Sequence, residues 1–478
     1  MTHNNLSTAT PFSLDEQRTL LRQLRSDLLA HHRPHLLEGA GPIRVMARVV
    51  AELEQACRER HIAPEVMKSE IVNRTIGDIN LRLVTECEGE PGGPDDYRTL
   101  ADELGVALPG EDINGYRASG ETYLWLRTQM MEYERLLLSH HYDPRVYDIY
   151  GVGNPVMRGW LAEEMQRWGL PVEGEQVHMS LGAMDGLDRV LRGLAHIYRT
   201  QGTTSIAMLC LEPGFTVPEW QATTYGYRLH RYPTLPEHRF KLTGAQLDQI
   251  LAEHHDIRVI YLTITNNPTS LAYTPAELND LHEVLRRYRE HGRIVYVVAD
   301  LAYIGTGKPD EDHARMATFN EPDILRYTIL VSSFSKTFTL TGERFGWATY
   351  GDAEIAAKCA ASWTNGLAAL PGEWQLRYMA YYRLLQDRPE LGERLRTFYR
   401  LRRTRFIKQL RHINEQQHLF QEIYLDDDAT VYNWSRLQPG EDAFSVFEKT
   451  GIAGVPGSGF GYSDEYVRFS IGVIPVEP

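Results

Sequence analysis

The sequence predicts an α/β fold: a large domain with a mostly parallel central sheet, a smaller α/β domain and an N-terminal helical extension. Two observations predict it. From about Gly151 onward, short runs of β-branched and apolar residues alternate with amphipathic helical stretches, as in a parallel sheet covered by helices. Before residue 140 the apolar residues recur mainly with a helical period. The predicted segments are 1–70 for the extension, 71–150 with 367–478 for the small domain, and 151–366 for the large domain.

The N-terminal region is predicted to be helical. An apolar periodicity extends over Leu14–Leu28, and Ser13 precedes it. A serine at this position predicts a helix cap, because its hydroxyl can accept a hydrogen bond from a first-turn amide. Two more helices are predicted, at Ile43 to about Arg60 and at Thr122–Ser139.

The second half of the chain supplies the predicted sheet. A helix at Pro275–His291 is predicted as a crossover, and the region from Trp374 onward returns to helix and then strand. Within it, the arginine-rich stretch Arg394–Arg411 has apolar residues on one face, which predicts an amphipathic helix. A patch that recruits a phosphorylated or nucleotide-like substrate is the alternative. The near-continuous apolar runs that predict strands lie at 205–210, 259–264, 294–298 and 327–331.

Composition excludes several classes of protein. Of the 478 residues, 42% are hydrophobic and 24% are charged, so a sizeable core can be buried. The formal net charge of −14 disfavours general binding to nucleic acid or to anionic membranes. The four cysteines lack the spacing of a metal finger or a disulfide framework, and the first ten residues lack the basic and apolar segments of a secretory signal. We therefore expect a soluble cytoplasmic protein without a metal site.

Polar residues follow three consecutive predicted strands, at the edge where open α/β sheets bind ligands. The first strand leads into Thr265–Thr269, the second into Ala299–Tyr303 and the third into Ser332–Lys336. Arg344 follows Lys336 by eight residues. A lysine amine is a nucleophile toward aldehydes and can later act as a mobile base. The pattern therefore predicts a site in which a lysine, an acid and an arginine share one sheet edge.

This constellation resembles the fold-type I pyridoxal-phosphate-dependent enzymes, most closely the class I/II aminotransferase superfamily of aspartate aminotransferase-like proteins, over roughly Ile71–Gly472. The resemblance implies that Lys336 binds pyridoxal 5'-phosphate as a Schiff base. It implies that the buried carboxylate of Asp300 keeps the cofactor's ring nitrogen protonated. Asn267 and Tyr303 match the pair that hydrogen-bonds the phenolic oxygen of the cofactor and favours the phenolate. The predicted catalytic residues are Lys336, Asp300 and Tyr303.

Two further elements match the family's cofactor site. Ser180–Leu187 reads SLGAMDGL and opens a predicted helix, whose glycine-flanked amides suit a phosphate group. Glu212–Phe215 resembles the family's P-x-aromatic turn, which implies that the ring of Phe215 stacks on the pyridine. By resemblance, the residues that bind the cofactor phosphate are Gly182, Ala183, Met184, Ser333 and Arg344.

The C-terminal region carries the elements that imply substrate binding. Val455–Gly461 and Tyr466–Ser470 resemble the family's PGS-x-FG and VR-x-S elements. The family's arginine in the second element clamps the substrate α-carboxylate, so Arg468 is implied to do so here. Ile76-Gly77-Asp78 resembles the early glycine turn that approaches the substrate. The predicted substrate-binding residues are Arg468, Gly77 and Asn267.

One element implies a second subunit. Tyr147–Arg158 resembles the family's Tyr…Gly…LR element, whose tyrosine reaches the cofactor phosphate of the other subunit. Tyr150 is predicted to be that tyrosine, which implies a homodimer with shared active sites. The spacing from Gly153 to Arg158 also resembles 1-aminocyclopropane-1-carboxylate synthase.

Two departures from the family leave the reaction open. Ser270 stands where the family usually has glycine after the NPT motif, and about 70 residues precede the first motif. The complete motif set favours transamination of an L-amino acid. The extension and the Tyr150 element keep open an elimination, replacement, cyclisation or oxidation in specialised metabolism, with S-adenosylmethionine as one substrate. A non-catalytic regulator is disfavoured because the sequence retains Lys336, Asp300, Arg344 and Arg468.

Overall fold

A computed structural model describes residues 12–35, 42–75, 117–203, 205–337, 340–424 and 431–471. The predicted helix cap at Ser13 is confirmed: its hydroxyl accepts from the Glu16 amide at 3.3 Å, and the Glu16 carboxylate accepts from the Ser13 amide at 2.7 Å. In the described part of the chain every helix is too short or too polar to cross a membrane. The described α-helices are Leu14–His32, Pro42–Glu59, Pro64–Glu70, Arg117–Ser139, Pro155–Arg167, Gly182–Thr200, Val217–Thr224, Gly244–Glu253, Pro275–Glu290, Pro309–Ala317, Pro322–Leu325, Phe334–Thr337, Ala353–Leu367, Gly372–Asp387, Glu390–Gln417 and Ala443–Thr450.

The described strands are β1 (Val72–Asn73), β2 (Val177–Leu181), β3 (Ala207–Glu212), β4 (Arg228–Pro233), β5 (Ile257–Thr263), β6 (Tyr296–Asp300), β7 (Thr328–Ser333), β8 (Phe345–Tyr350), β9 (Phe420–Tyr424), β10 (Tyr432–Leu437), β11 (Ile452–Ala453), β12 (Val455–Pro456) and β13 (Tyr466–Ser470). Seven of these strands form one sheet, in the order β2-β8-β7-β6-β5-β3-β4. The five strands from β7 to β4 are parallel to one another, and β8 is antiparallel to β7 and β2, so the mostly parallel sheet is confirmed.

The central strands are buried on both faces of this sheet. Neighbouring residues along a strand point to opposite faces. Val259 of β5 accordingly packs in one apolar cluster and Ile260 in the other, and Val298 and Val297 of β6 divide in the same way. This two-sided burial explains why the strands appear in the sequence as near-continuous apolar runs.

The chain divides into two compact units. The larger contains the seven-stranded sheet, and its segments are Gly77–Ile407, Tyr424–Asn433 and Ile471–Pro478; the smaller takes its residues from Met1–Ile76, Lys408–Ile423 and Trp434–Ser470.

The first two predicted N-terminal helices contribute to the core of the smaller unit. Leu21 and Val49, from the first two helices, lie in one buried cluster with Phe444 and Phe447 of the helix Ala443–Thr450. β1 pairs in parallel with β11, which brings the same two chain regions together. The domain boundaries given above remain a prediction.

The arginine-rich stretch is helical, as predicted, within Glu390–Gln417. Tyr399, Phe406 and Leu410 are buried, and their spacing of seven and then four residues places them on one helix face. The exposed side includes Arg400. The amphipathic-helix prediction therefore accounts for the described side chains.

Candidate active site

The sheet brings the three predicted strand ends to one edge. β5, β6 and β7 are adjacent and parallel, so their carboxyl ends point the same way. Thr263 pairs with Asp300, and Asp300 pairs with Val331. Lys336 lies in the four-residue helix Phe334–Thr337, directly after β7. The acid and the lysine predicted from the sequence therefore follow neighbouring strands.

Asp300 is a buried carboxylate with neutral hydrogen-bond donors. It is 5% exposed; Oδ2 accepts from the Tyr261 hydroxyl at 2.7 Å and Oδ1 from the Ala302 amide at 2.9 Å. Burial raises the pKa of Asp300 above its ordinary value, and the two hydrogen bonds oppose that shift. A protonated ring nitrogen would supply the positive charge that such a carboxylate favours, so Asp300 fits the predicted role beside a pyridine.

Hydrogen bonds to two other parts of the fold hold the backbone at Lys336 and Thr337. The Lys336 carbonyl accepts from the Tyr399 hydroxyl at 2.7 Å, and the Thr337 hydroxyl donates to the Ile304 carbonyl at 3.1 Å. Phe334 is buried and its ring contacts Trp347 at a centroid distance of 5.0 Å. These contacts fix the main chain from which the half-buried Lys336 side chain extends.

The residues predicted to bind phosphate lie together. Ser180 at the end of β2 and Ser333 at the end of β7 both pair with Gly346 of β8, so the three residues are in register across the sheet. Gly182 begins the helix Gly182–Thr200 with a φ of +82°, and a Cβ there would clash with the Arg344 Nη2 atom. The Arg344 guanidinium therefore lies directly against the first turn of this helix.

That first turn suits an anion. The amides of Ala183 and Met184 are among the first four of the helix, which have no acceptor within it. Arg344 adds a guanidinium whose Nη1 donates to the Thr341 carbonyl at 2.8 Å. The donor set of helix amides, a serine hydroxyl and a guanidinium fits a phosphate group.

Phe215 lies on the loop that follows β3, and a hydrogen bond joins this loop to the loop that follows β5. The Asn266 side-chain amide donates to the Pro213 carbonyl at 2.9 Å. Asn266 is buried, and Phe215 is half-buried. The contact was not predicted from the sequence, because no spacing rule links residues 53 positions apart.

Asn267 and Tyr303 are both buried, on the loops after β5 and β6. The turn that carries Asn267 is closed by the Ser270 amide, which donates to the Asn266 carbonyl at 2.8 Å. Ser270 has a φ of +62°, in the left-handed region that favours glycine. This explains why glycine is usual there. Here the Ser270 hydroxyl donates to the Tyr432 carbonyl at 2.6 Å.

Arg468 belongs to the smaller unit and is 4% exposed, on β13. Its Nη2 donates to the Thr75 carbonyl at 2.5 Å, and its guanidinium carbon lies 4.9 Å from the ring centroid of Phe460. Phe460 comes from the PGS-x-FG element. Thr75 precedes the early glycine turn, and Gly77 lies outside the described residues.

Tyr150 is exposed, and the Arg158 guanidinium carbon lies 5.7 Å from its ring centroid. Exposed apolar side chains precede it in the sequence: Val146 is 66% exposed, Tyr147 78% and Ile149 84%. Closely spaced apolar side chains with this exposure are typical of a surface that another protein covers.

Comparison with known proteins identifies the family. Residues 201–476 match the model of the family described as aminotransferase class I and II. The chain belongs to this family. An LL-diaminopimelate aminotransferase of Maridesulfovibrio salexigens is 27% identical over 287 residues, which are 59% of this chain and 69% of the relative. An asparagine–oxo-acid transaminase of Streptococcus mutans is 28% identical over 256 residues, 50% of this chain and 58% of the relative.

Solved aminotransferase structures share the fold. The aspartate aminotransferase of Thermus thermophilus with maleate has a TM-score of 0.65 at 18% identity, over 92% of this chain and 94% of that one. An aromatic aminotransferase of Pyrococcus horikoshii has a TM-score of 0.59 at 19% identity, over 88% and 94%. The fold-type I architecture is confirmed. The aminotransferase depends on pyridoxal 5'-phosphate, as its family does, and the predicted cofactor and enzyme class are confirmed with it.

Proposed function

We propose that the aminotransferase moves the α-amino group of an L-amino acid to a 2-oxo acid, with the cofactor held on Lys336. The observation that carries the proposal is the edge shared by β5, β6 and β7, where Asn267, Asp300 and Lys336 follow adjacent strands. When bound, pyridoxal 5'-phosphate withdraws electrons from the Cα of the amino acid and stores its amino group.

Each residue has a separate role in this proposal. Lys336 binds the cofactor and carries a proton to and from the Cα. Asp300 holds the proton on the ring nitrogen, and Phe215 packs on the ring. Arg468 binds the α-carboxylate with a two-pronged hydrogen bond, which orients the amino acid. Gly77 and Asn267 complete the substrate side.

The phosphate is held by a set of groups that share a positive or donating character. They are the amides of the first helical turn, a hydroxyl and a guanidinium. The contact of Arg344 with Gly182 and the pairing of Ser333 with Gly346 support the proposal. The members of this set are Gly182, Ala183, Met184, Ser333 and Arg344.

A second copy of the chain completes the site in our proposal. The exposed apolar segment Val146–Tyr150 supports a homodimer, and Tyr150 is the residue that reaches the partner's phosphate. Tyr150→Phe should weaken cofactor binding about 10-fold, because one hydrogen bond to a charged group is lost. Tyr147→Phe is the control. Sedimentation that gives a monomer at micromolar concentration would contradict this part of the proposal.

The substrate can be tested with a panel of L-amino acids and 2-oxo acid acceptors, scored by mass detection of products. The relatives' names make LL-diaminopimelate, asparagine and aspartate the first members of the panel. The proposal requires that at least one amino acid yields its 2-oxo acid together with an aminated acceptor. Consumption of substrate with no 2-oxo acid in any reaction would refute it.

A cytoplasmic location remains part of the proposal. The free, buried state of Cys57, Cys210 and Cys359 supports a reducing compartment.

A further inference from the structure

Tyr432 contacts both loops that carry the predicted partners of the cofactor's phenolic oxygen. Its hydroxyl lies 3.3 Å from the Tyr303 hydroxyl, and the two rings meet edge to face at a centroid distance of 5.7 Å. Its carbonyl accepts from the Ser270 hydroxyl at 2.6 Å. Tyr303 follows β6, and Ser270 closes the turn of Asn267 after β5. Tyr432 therefore links two loops that are separate in the sequence.

Both ends of this link are fixed. Tyr432 is 3% exposed, and the residue before it, Val431, accepts a backbone hydrogen bond from Ile471 at 2.9 Å. On the other side, the buried Lys241 ammonium donates to the Leu271 carbonyl at 2.6 Å, next to Ser270. Hydrogen bonds from Ile471 and Lys241 thus fix the residues next to Tyr432 and Ser270, in addition to the bond between Ser270 and Tyr432.

We propose that Tyr432 is a positioning residue that holds the Tyr303 hydroxyl and the Asn267 turn in register, so that both bond the phenolic oxygen of the cofactor. The inference rests on the proposed function. The Tyr303 hydroxyl donates to the Tyr432 hydroxyl. Because each hydroxyl both donates and accepts, this bond can reverse when the phenolic oxygen accepts the Tyr303 proton, and Tyr432 then donates to Tyr303. Such a chain of donors polarises each member and strengthens the last bond.

The consequence can be measured on the link between Lys336 and the cofactor. A donor at the phenolic oxygen competes with the protonated imine for the same lone pairs. If the donor is weakened, the oxygen holds the imine proton more strongly, and the imine pKa rises. Tyr432→Phe keeps the ring and removes only the hydroxyl, so we expect a rise of about half a unit to one unit, read from visible absorbance against pH.

A double-variant comparison separates positioning from general damage. Tyr303→Phe should raise the imine pKa more than Tyr432→Phe, and the double variant should match Tyr303→Phe alone, because Tyr432 acts through Tyr303. Tyr227→Phe is the matched control: its hydroxyl is also buried and donates to the Leu191 carbonyl at 2.9 Å. Its imine pKa should equal the wild-type value.

Ser270→Gly tests the other end of the link. Glycine tolerates the φ of +62°, so this variant removes the hydroxyl without straining the turn. We expect a smaller rise of the imine pKa than in Tyr432→Phe. Melting curves of the cofactor-free variants check that each one folds.

Several results would overturn the inference. An unchanged imine pKa in Tyr432→Phe would do so, as would additive shifts in the double variant or an equal shift in Tyr227→Phe. An unchanged imine pKa with a raised KM would assign Tyr432 to the substrate instead. If Tyr303→Phe itself shifts nothing, the assignment of Tyr303 fails together with the inference, whereas the amino-acid panel tests the proposed reaction independently.

Discussion

Asp300→Asn removes one charge from the centre of the proposed site and should separate activity from stability. The asparagine can keep both contacts, because its oxygen can accept from the Ala302 amide and its nitrogen can donate to the Tyr261 hydroxyl, which accepts as well as donates. Loss of an adjacent opposite charge lowers the pKa of a ring nitrogen by about one to three units. Because each unit is a tenfold change in the protonated fraction, kcat/KM should fall about 10- to 1000-fold.

The thermal stability of the cofactor-free protein should not fall with the activity in Asp300→Asn. Burial raises the pKa of Asp300, so its favourable contribution to folding belongs to the protonated form and is lost as the pH rises through the folded-state pKa. Above the ordinary pKa of aspartate, folding either buries the charge of Asp300 or takes up a proton, and both lower stability; Asp300→Asn removes that cost. We expect a Tm at or above the wild-type value at pH 7, with the difference shrinking as the pH falls toward the ordinary range of aspartate.

Steady-state kinetics and thermal melts with and without cofactor are the assays. Asp188→Asn is the control, since Asp188 also accepts from a tyrosine hydroxyl, that of Tyr225 at 2.8 Å, in the same unit. It should leave kcat/KM unchanged. Wild-type activity in Asp300→Asn would refute the role of Asp300, and a large loss of Tm in the cofactor-free variant would refute the reasoning on its buried charge.

Three more predictions concern the other groups of the site. Lys336→Ala should abolish the visible absorbance of the lysine-bound cofactor and lower kcat at least about 100-fold. Lys358→Ala, on an exposed helix face, should do neither, and retained absorbance in Lys336→Ala would exclude Lys336 as the residue that binds the cofactor. Gly182→Ala should weaken cofactor binding about 10-fold or more, because its Cβ displaces Arg344. Gly202→Ala, with a similar φ of +81° and open space around it, should not weaken binding, and equal effects of the two variants on affinity would indicate backbone strain alone. Arg468→Lys should lower kcat/KM for the amino acid about 10- to 100-fold, because a two-pronged contact becomes a single one. Arg436→Lys on the neighbouring strand should leave kcat/KM unchanged, and an unchanged kcat/KM in Arg468→Lys would contradict the role of Arg468 in binding the carboxylate.

Much of the fold is predictable because a strand that is buried on both faces leaves a run of consecutive apolar residues in the sequence. β3, β6 and β7 were predicted as apolar runs, but they continue into Glu212, Asp300 and Ser333. These polar residues stay in the ladder because backbone hydrogen bonds do not depend on side-chain polarity, and a pattern of apolar residues ends too early as a result.

The site is only partly predictable for a different reason. Lys336, Asp300 and Arg344 are recognised by motif and by their order at strand ends. Tyr261 and Tyr432 act through partners 39 and 129 residues away, and such contacts leave no spacing in a single sequence. The serine at position 270 could be noted as a departure, but its left-handed backbone and its hydrogen bond to Tyr432 required the structure.

The most direct test of the central claim is the half-reaction of the cofactor-loaded protein with a single L-amino acid and no acceptor. Amino transfer predicts one equivalent of 2-oxo acid per bound cofactor, loss of the absorbance of the lysine-bound form, and recovery of that absorbance when a 2-oxo acid is added. Continued turnover beyond one equivalent without an acceptor, or a product other than the 2-oxo acid, would contradict the assignment as an aminotransferase reaction.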